Sequence, residues 1–399
     1  MRAEREAARV ERVGAPASRE SAPGTGAGDP FPLERVVDED GLVADESRVL
    51  LAGEELLRLH RAMVLDRALD ERMITLQRQG RIGFYVGAIG EEAAVLGAAA
   101  AMAPTDWIFP CYREHGAALL RGMPLAAFLC DLLGNAAAPG KGRQMPCHEA
   151  WRPARYASVS SPIGTQISHA VGAAWAARIQ GEEMVPLVYF GDGATSSGEF
   201  HVGLNFAAVR HLPVIFACRN NGWAISLPTD RQTAAATVAQ KAVAYGMLGV
   251  RVDGNDVVAV HAATRRARAR AAAGGGPTLL DLVTYRMEGH STSDDPRAYR
   301  AAAVVEPWRR RDPIERLRRL LLRRGLLDDA GVERVRAEVA AEIQAALAEA
   351  EARPPRPPLE SLFEDVYAEP LRQQREQLAE LAGAVAADPR VADPRHADA

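Results

Sequence analysis

The sequence predicts an α/β protein: a parallel sheet with helices on both faces and a helical C-terminal extension. Three observations predict it. Short apolar runs alternate with helix-length runs through the middle of the chain, the pattern of strands buried on both faces. Two of those runs end in Gly191-Asp192-Gly193 and in Asn220-Asn221, and sheets of this kind bind ligands at the carboxyl ends of their strands. From Pro313 onward charged stretches rich in leucine and alanine replace the alternation.

The elements follow in order. Residues 1–48 are rich in Ala, Gly, Pro, Arg and Glu and offer little to build a core, which predicts a disordered extension. An α/β domain is expected over 49–312. Helical periodicity begins near Glu54, where Leu56, Leu57, Leu59, Met63 and Leu65 share a face with Leu69 and Met73. A glycine-punctuated stretch at 81–85 leads to an alanine-rich helix from about Gly90. Strands are predicted at 187–190, 214–218, 249–252 and 278–285, with helices at 197–210 and 256–273 between them. A helical region is expected over 313–399, broken by Pro354-Pro355 and Pro357-Pro358, with a final amphipathic helix at 371–386 and a loose tail.

Bulk properties narrow the function. The 399 residues suit one large domain with extensions or two smaller ones. An apolar content of 48% and a charged content of 25% are ordinary for a soluble protein. A net charge of −4 gives no reason to expect nucleic acid or an anionic membrane as partner. Cys111, Cys130, Cys147 and Cys218 form no CxxC pair, which argues against a disulfide framework or a zinc site. No apolar stretch reaches the length of a bilayer span. Glu4, Glu11 and Glu20 interrupt the N-terminus and no apolar core follows, so neither a signal nor a transit peptide is expected and the expected location is cytoplasmic.

The two polar clusters carry the chemistry. Small residues around Asp192 let backbone amides approach a phosphate, and the following helix points its N-terminal dipole to the same place. A carboxylate there repels a diphosphate unless a hard cation lies between them. Mg²⁺ suits that position: Asp192 and the amide oxygen of Asn221 offer ligands, and the Trp223 carbonyl a third. Taken singly, each cluster also reads as a tight turn. Together they lie about 26 residues apart, roughly one strand–helix–strand unit.

That pair resembles the signature of thiamine diphosphate-binding folds. From about Leu56 to Leu381 the chain further resembles the alpha subunits of 2-oxo acid dehydrogenase decarboxylating components. Tyr112-Arg113-Glu114, Gly142-Arg143-Gln144-Met145-Pro146, Ser160-Ser161-Pro162 and the run from Arg219 to Ser226 carry this likeness. The run from Gly289-His290-Ser291 to Asp295, closed by Tyr299-Arg300, and the segment Leu362 to Tyr367 resemble the branched-chain enzymes most.

The resemblance implies roles residue by residue. Tyr112, Arg113 and Arg219 contact the diphosphate, and the amides of Gly193 and Ala194 cap it; for either arginine a surface ion pair is the alternative. Ser161 and Ile163 line the cofactor, Ile163 propping it into a bent form. Ser160, Pro162, Thr165 and Gln166 match a potassium site, for which a Ser/Thr helix cap is the alternative. His290 interacts with the diphosphate and supports acyl transfer. Ser291 matches a position that a kinase phosphorylates in mitochondrial relatives, a regulation not expected in a chain without an import signal.

The implied reaction is oxidative decarboxylation of a 2-oxo acid with transfer of the acyl group to a lipoyl-bearing transacylase component. The glutamate that protonates the aminopyrimidine ring is expected from a separate beta subunit, in an assembly of two alpha and two beta chains. Branched-chain substrates are expected; pyruvate or acetoin dehydrogenase subunits are alternatives, and a non-catalytic thiamine diphosphate scaffold is a third.

Overall fold

Five of the apolar runs hydrogen-bond into one sheet in the computed structural model of the protein, which describes residues 29–388. The strands are β1 (Ile108–Phe109), β2 (Leu187–Gly191), β3 (Ile215–Asn220), β4 (Leu248–Asp253) and β5 (Thr278–Val283). Their order is β1-β2-β3-β5-β4, and every pairing is parallel. The register sets Gly191 beside Arg219, and Val283 beside both Asn220 and Asp253. The carboxyl ends of β2 and β3 therefore open side by side.

Alternation along each strand divides the core. Leu187, Tyr189, Ile215, Ala217, Leu280 and Leu282 join one apolar cluster; Val188, Phe190, Phe216, Cys218 and Leu279 join another. The first is covered by α1 (Gly53–Arg78), α2 (Glu92–Ala100) and α5 (Val257–Ala272), the second by α3 (Thr165–Gln180) and α4 (Gly198–Val209). Burial on both sheet faces is what the apolar runs require.

Helix α1 buries Leu56, Leu59, Met63, Asp66, Leu69, Met73 and Leu76, a spacing of three and four residues that forms one stripe. Leu57 and Leu65 lie at its margin, half-buried. Two carboxylates, Asp66 and Asp70, occupy stripe positions and are buried. Asp256 caps α5 through its Oδ1, which accepts from Val258 N and Ala259 N at 3.0 and 3.1 Å.

The same Asp256 corrects the reading of the N-terminal extension. Its Oδ2 accepts from Val36 N and Val37 N, each at 2.7 Å, and both valines are buried. Glu34 bridges in parallel to Val252 of β4. Residues 29–48 are thus part of the fold rather than disordered, because a carboxylate some 220 positions away satisfies their amides. Residues 1–28 of that extension, and the tail beyond 388, lie outside the described residues.

The C-terminal helices α6 (Pro313–Arg323) and α7 (Asp329–Glu351) start on Asp312 and Asp328, whose side chains accept from Ile314 N, Glu315 N and Gly331 N. Leu317, Leu320, Leu321, Val339, Ile343 and Leu347 enter the same apolar cluster as α1. The helical region after residue 312 therefore shares a core with the α/β body. A last helix, α8 (Arg372–Ala387), buries no residue. Among the described residues no helix is long and apolar enough to cross a membrane.

Candidate functional site

A cavity of about 580 Å³ opens at the carboxyl ends of β2 and β3. Its wall brings together Tyr112, Arg113, Ser161, Ile163, Gly193 and Ala194 with Arg219, Asn221, Trp223 and His290. Residues spread over nearly half the chain meet there because the loops that follow neighbouring parallel strands all exit on one side.

Asp192 opens a short 3₁₀ turn (Asp192–Ser196) after β2 and is fully buried. Its Oδ2 accepts from the Thr229 hydroxyl at 2.5 Å, and its backbone carbonyl accepts from Thr195 Oγ1 and Gln232 Nε2 at 2.8 and 2.7 Å. Oδ1 is buried and has no hydrogen-bond partner. Burial raises this carboxyl to about 6. A bare carboxylate oxygen held away from water is costly unless a cation balances it. Asn221, at the end of β3, accepts through its side-chain oxygen from Trp223 N at 3.1 Å and donates to Glu91 Oε1 at 2.9 Å, which leaves one lone pair on its carbonyl oxygen. One carboxylate plus neutral oxygens is a donor set that fits Mg²⁺.

Gly193 is required by the hairpin of Trp223–Ala224 and Leu227–Pro228. A Cβ on it would lie 2.9 Å from the Ala224 methyl, and Gly193 and the buried Ala194 both line the cavity.

Both arginines are buried rather than on the surface. Arg219 donates through Nε to Glu114 Oε1 at 2.5 Å and through Nη1 to Glu91 Oε2. Arg113 donates to the carbonyl of Gly87 and to that of His290, the latter at 2.5 Å. Its guanidinium carbon lies 5.6 Å from the Tyr112 ring centre, and that ring meets the His290 imidazole edge-on at 6.0 Å. Burial raises the Tyr112 phenol well above its ordinary range.

Arg113 Nη2 also lies 3.2 Å from His290 Nδ1. A guanidinium only donates, so Nδ1 must be the acceptor, and a neutral imidazole then carries its proton on Nε2. Burial, with Arg113 and Arg286 adding repulsion, lowers the His290 pKa from 6.5 to about 4. Between those values the unfolded chain binds more protons at this position than the folded one. The stability it contributes is full above pH 6.5 and is lost as pH falls toward 4. Imidazole titration followed by NMR is expected to show His290 still neutral at pH 6; a midpoint at or above 6.5 would contradict this geometry.

The loop that carries His290 is tied at several points. His290 N donates to Asp294 Oδ2 at 2.6 Å, and the same oxygen accepts from the Tyr299 hydroxyl at 2.5 Å. Ser291 Oγ accepts from Ser293 N at 3.3 Å. Arg300 donates to the carbonyls of Arg286 and Met287.

Ser161 and Ile163 sit opposite, on the loop before α3, with Ile163 exposed toward the cavity. The Ser161 hydroxyl pairs with His148 Nε2, whose Nδ1 lies 3.1 Å from Pro146 O. Among the four residues matched to potassium, Thr165 donates to Pro162 O at 3.0 Å and Gln166 Nε2 donates to Tyr189 O at 2.9 Å. Gln166 Oε1 is buried without a partner, and Ser160 is half-buried nearby in sequence. The alternative helix cap is not formed: Gly164 holds the N-cap position and no side chain caps α3.

Sequence reasoning passed over Glu91 as a site residue and named Glu114 only within a motif. It also missed His148, Thr229 and Gln232. The signal available for the glutamates was two acids bordering apolar helices, next to a motif arginine.

A cavity at the carboxyl ends of a parallel α/β sheet, walled by arginines with an unpaired buried carboxylate behind its wall, defines a cofactor-dependent enzyme subunit. The family model described as the dehydrogenase E1 component matches residues 60–359, and the chain belongs to that family. It is 44% identical over 354 residues to the mitochondrial 2-oxoisovalerate dehydrogenase subunit alpha of Homo sapiens, covering 88% of this chain and 79% of the relative. Against the 3-methyl-2-oxobutanoate dehydrogenase subunit alpha of Mycobacterium tuberculosis it is 44% identical over 364 residues, covering 87% and 94%. An Arabidopsis thaliana 2-oxoisovalerate dehydrogenase subunit alpha is 42% identical over 348 residues, covering 87% and 74%.

Proposed function

We propose that this chain is the alpha subunit of a thiamine diphosphate-dependent dehydrogenase that decarboxylates branched-chain 2-oxo acids, 3-methyl-2-oxobutanoate among them. The acyl group passes to the lipoyl group of a transacylase component. One observation carries the reading: Asn221, Arg113 and His290 line one cavity, and the buried, unpaired Asp192 Oδ1 lies between its lining residues Gly191 and Gly193, in a chain whose relatives bear that enzyme's name.

Asp192, Asn221 and the Trp223 carbonyl hold Mg²⁺. Arg113 donates charge-assisted hydrogen bonds to the diphosphate, with Tyr112, Arg219 and the amides of Gly193 and Ala194 around it. Ser161 and Ile163 line the ring end. The bound cofactor supplies a cationic ring that accepts the electron pair released as CO₂ leaves. His290, neutral and protonated on Nε2, presents a hydrogen-bond donor to the cavity at physiological pH. Potassium at Ser160, Pro162, Thr165 and Gln166 is supported by the unpaired Gln166 Oε1. Ser291 has no role in this reading, since a phosphate there would place a dianion beside the diphosphate. The location is cytoplasmic.

The acid that protonates the aminopyrimidine comes from a beta subunit, in an assembly of two alpha and two beta chains. Supporting this, Glu91 and Glu114 are both engaged by Arg219, and the residues lining the cavity include no carboxylate. Substrates differing by a methylene are separated by about 1–3 kcal/mol of pocket contact. The test is CO₂ release by the alpha–beta assembly from 3-methyl-2-oxobutanoate and from pyruvate. Faster release from the branched acid is expected, a preference for pyruvate would move the chain to the pyruvate enzymes, and turnover of neither would revive a scaffold.

A further inference from the structure

The buried stripe of α1 carries a carboxylate that the proposed chemistry does not use. Asp70 accepts through both oxygens: Oδ1 from the Tyr85 hydroxyl and Oδ2 from Ala88 N, each at 2.7 Å. His115 Nε2 lies 3.1 Å from Asp70 Oδ1 and 3.1 Å from Asp66 Oδ1. Burial alone would lower the His115 pKa, but the Asp66 and Asp70 carboxylates raise it, so a cation balances this cluster.

Residues 85–89 belong to no helix or strand. Their backbone groups therefore have no ladder and must find other partners. Asp70 is one partner, and the packing is close enough that a Cβ on Gly87 would lie 3.0 Å from Asp70 Oδ2. Val86 N donates to Cys147 Sγ and Ala88 O accepts from Glu91 N, while other backbone groups of the segment serve the site. Tyr85 N donates to Thr292 Oγ1 at 3.1 Å, and Tyr85 O accepts from Thr292 N at 3.0 Å. Gly87 O accepts from Arg113 Nη1. Ile89 O accepts from Met287 N at 3.2 Å. One irregular segment thus touches both flanks of the His290 loop and the arginine beside it.

We propose that Asp70, acting with the Tyr85 hydroxyl, is a positioning residue: it fixes residues 85–89 so that they hold Arg113 and the His290 loop in the geometry that receives a diphosphate. This rests on the reading above that Arg113 meets the diphosphate. Asp70 never touches the cofactor. It acts through two hydrogen bonds to the segment, one to a side chain and one to the main chain, and the segment's carbonyls do the rest.

The experiment uses the alpha–beta assembly with Asp70→Asn, Tyr85→Phe and, as control, Leu69→Ala. The control opens a cavity in the same helix and removes no hydrogen bond from residues 85–89. Amide exchange of residues 287–295 is followed without cofactor, and thiamine diphosphate affinity is measured in the presence of Mg²⁺. Asp70→Asn and Tyr85→Phe are expected to speed exchange in the loop and weaken the cofactor about tenfold. Leu69→Ala is expected to lower the melting temperature while leaving both quantities unchanged. Wild-type loop exchange in both variants, or an equal effect of Leu69→Ala, would overturn the proposal. If Asp70→Asn does not assemble, Tyr85→Phe decides, since it removes a single hydroxyl. Failure of the wild-type assembly to bind thiamine diphosphate would count against the function proposed above, while the exchange arm would still judge Asp70.

Discussion

Replacing Asp192 with asparagine is expected to weaken Mg²⁺-dependent thiamine diphosphate binding by more than about 100-fold, because losing a direct metal ligand exceeds the 10–100-fold typical of its outer-shell partners. Asparagine keeps the shape and can still accept from the Thr229 hydroxyl. It loses the charge that makes the buried Oδ1 useful. The same change is expected to leave the cofactor-free protein as stable as before or more so. A buried carboxylate oxygen without a partner is a liability in the absence of metal, and an amide is cheaper to bury than a charge. The two effects have opposite signs, which separates a metal ligand from a structural acid. Titration calorimetry with Mg²⁺ and a thermal melt without it read them independently. Wild-type affinity in Asp192→Asn, or a large drop in melting temperature, would remove Asp192 from the metal site.

Arg219→Met is expected to destabilise the fold by about 3–5 kcal/mol, the cost of leaving buried charges without their partner. Glu91 and Glu114 are both fully buried and both face this guanidinium. Glu91 also accepts from Asn221 Nδ2, so loosening it disturbs the proposed metal site as well as stability. Arg219→Lys should recover only part of the loss, since an ammonium cannot offer the two divergent N–H groups that reach Glu114 and Glu91. The triple change Arg219→Met, Glu91→Gln, Glu114→Gln should recover more than the lysine, by removing the uncompensated charges. Urea midpoints order these variants; a wild-type midpoint for Arg219→Met would mean that the ion pairs do not hold the loops.

Much of this protein was legible before any coordinates. Strands at 187–190, 214–218, 249–252 and 278–285 and the helices between them are local facts, written in apolar periodicity, and they appear within a few residues of where the sequence places them. The metal and diphosphate candidates were legible for a related reason. Gly191-Asp192-Gly193 and Asn220-Asn221 directly follow strands, and in a parallel sheet every strand end opens on the same edge.

What stayed hidden involves partners distant in sequence. The 29–48 segment looked coreless because the carboxylate that binds Val36 and Val37 belongs to Asp256. Arg219 read as a diphosphate ligand with a surface ion pair as the alternative; its burial between Glu91 and Glu114 appears only when α2, the loop after β1 and β3 are brought together. Asp70 sits at a buried position of α1, where periodicity gives no reason to expect both its oxygens to be satisfied.

The sequence by itself determined the class of fold, the strand-end location of the site and the family to which its residues belong, because those depend on neighbours along the chain. Only the tertiary structure decided which charges neutralise one another, which tautomer His290 adopts and which segment carries Arg113. Electrostatic and hydrogen-bond partners are selected by distance in space, and burial makes each of those choices costly to break.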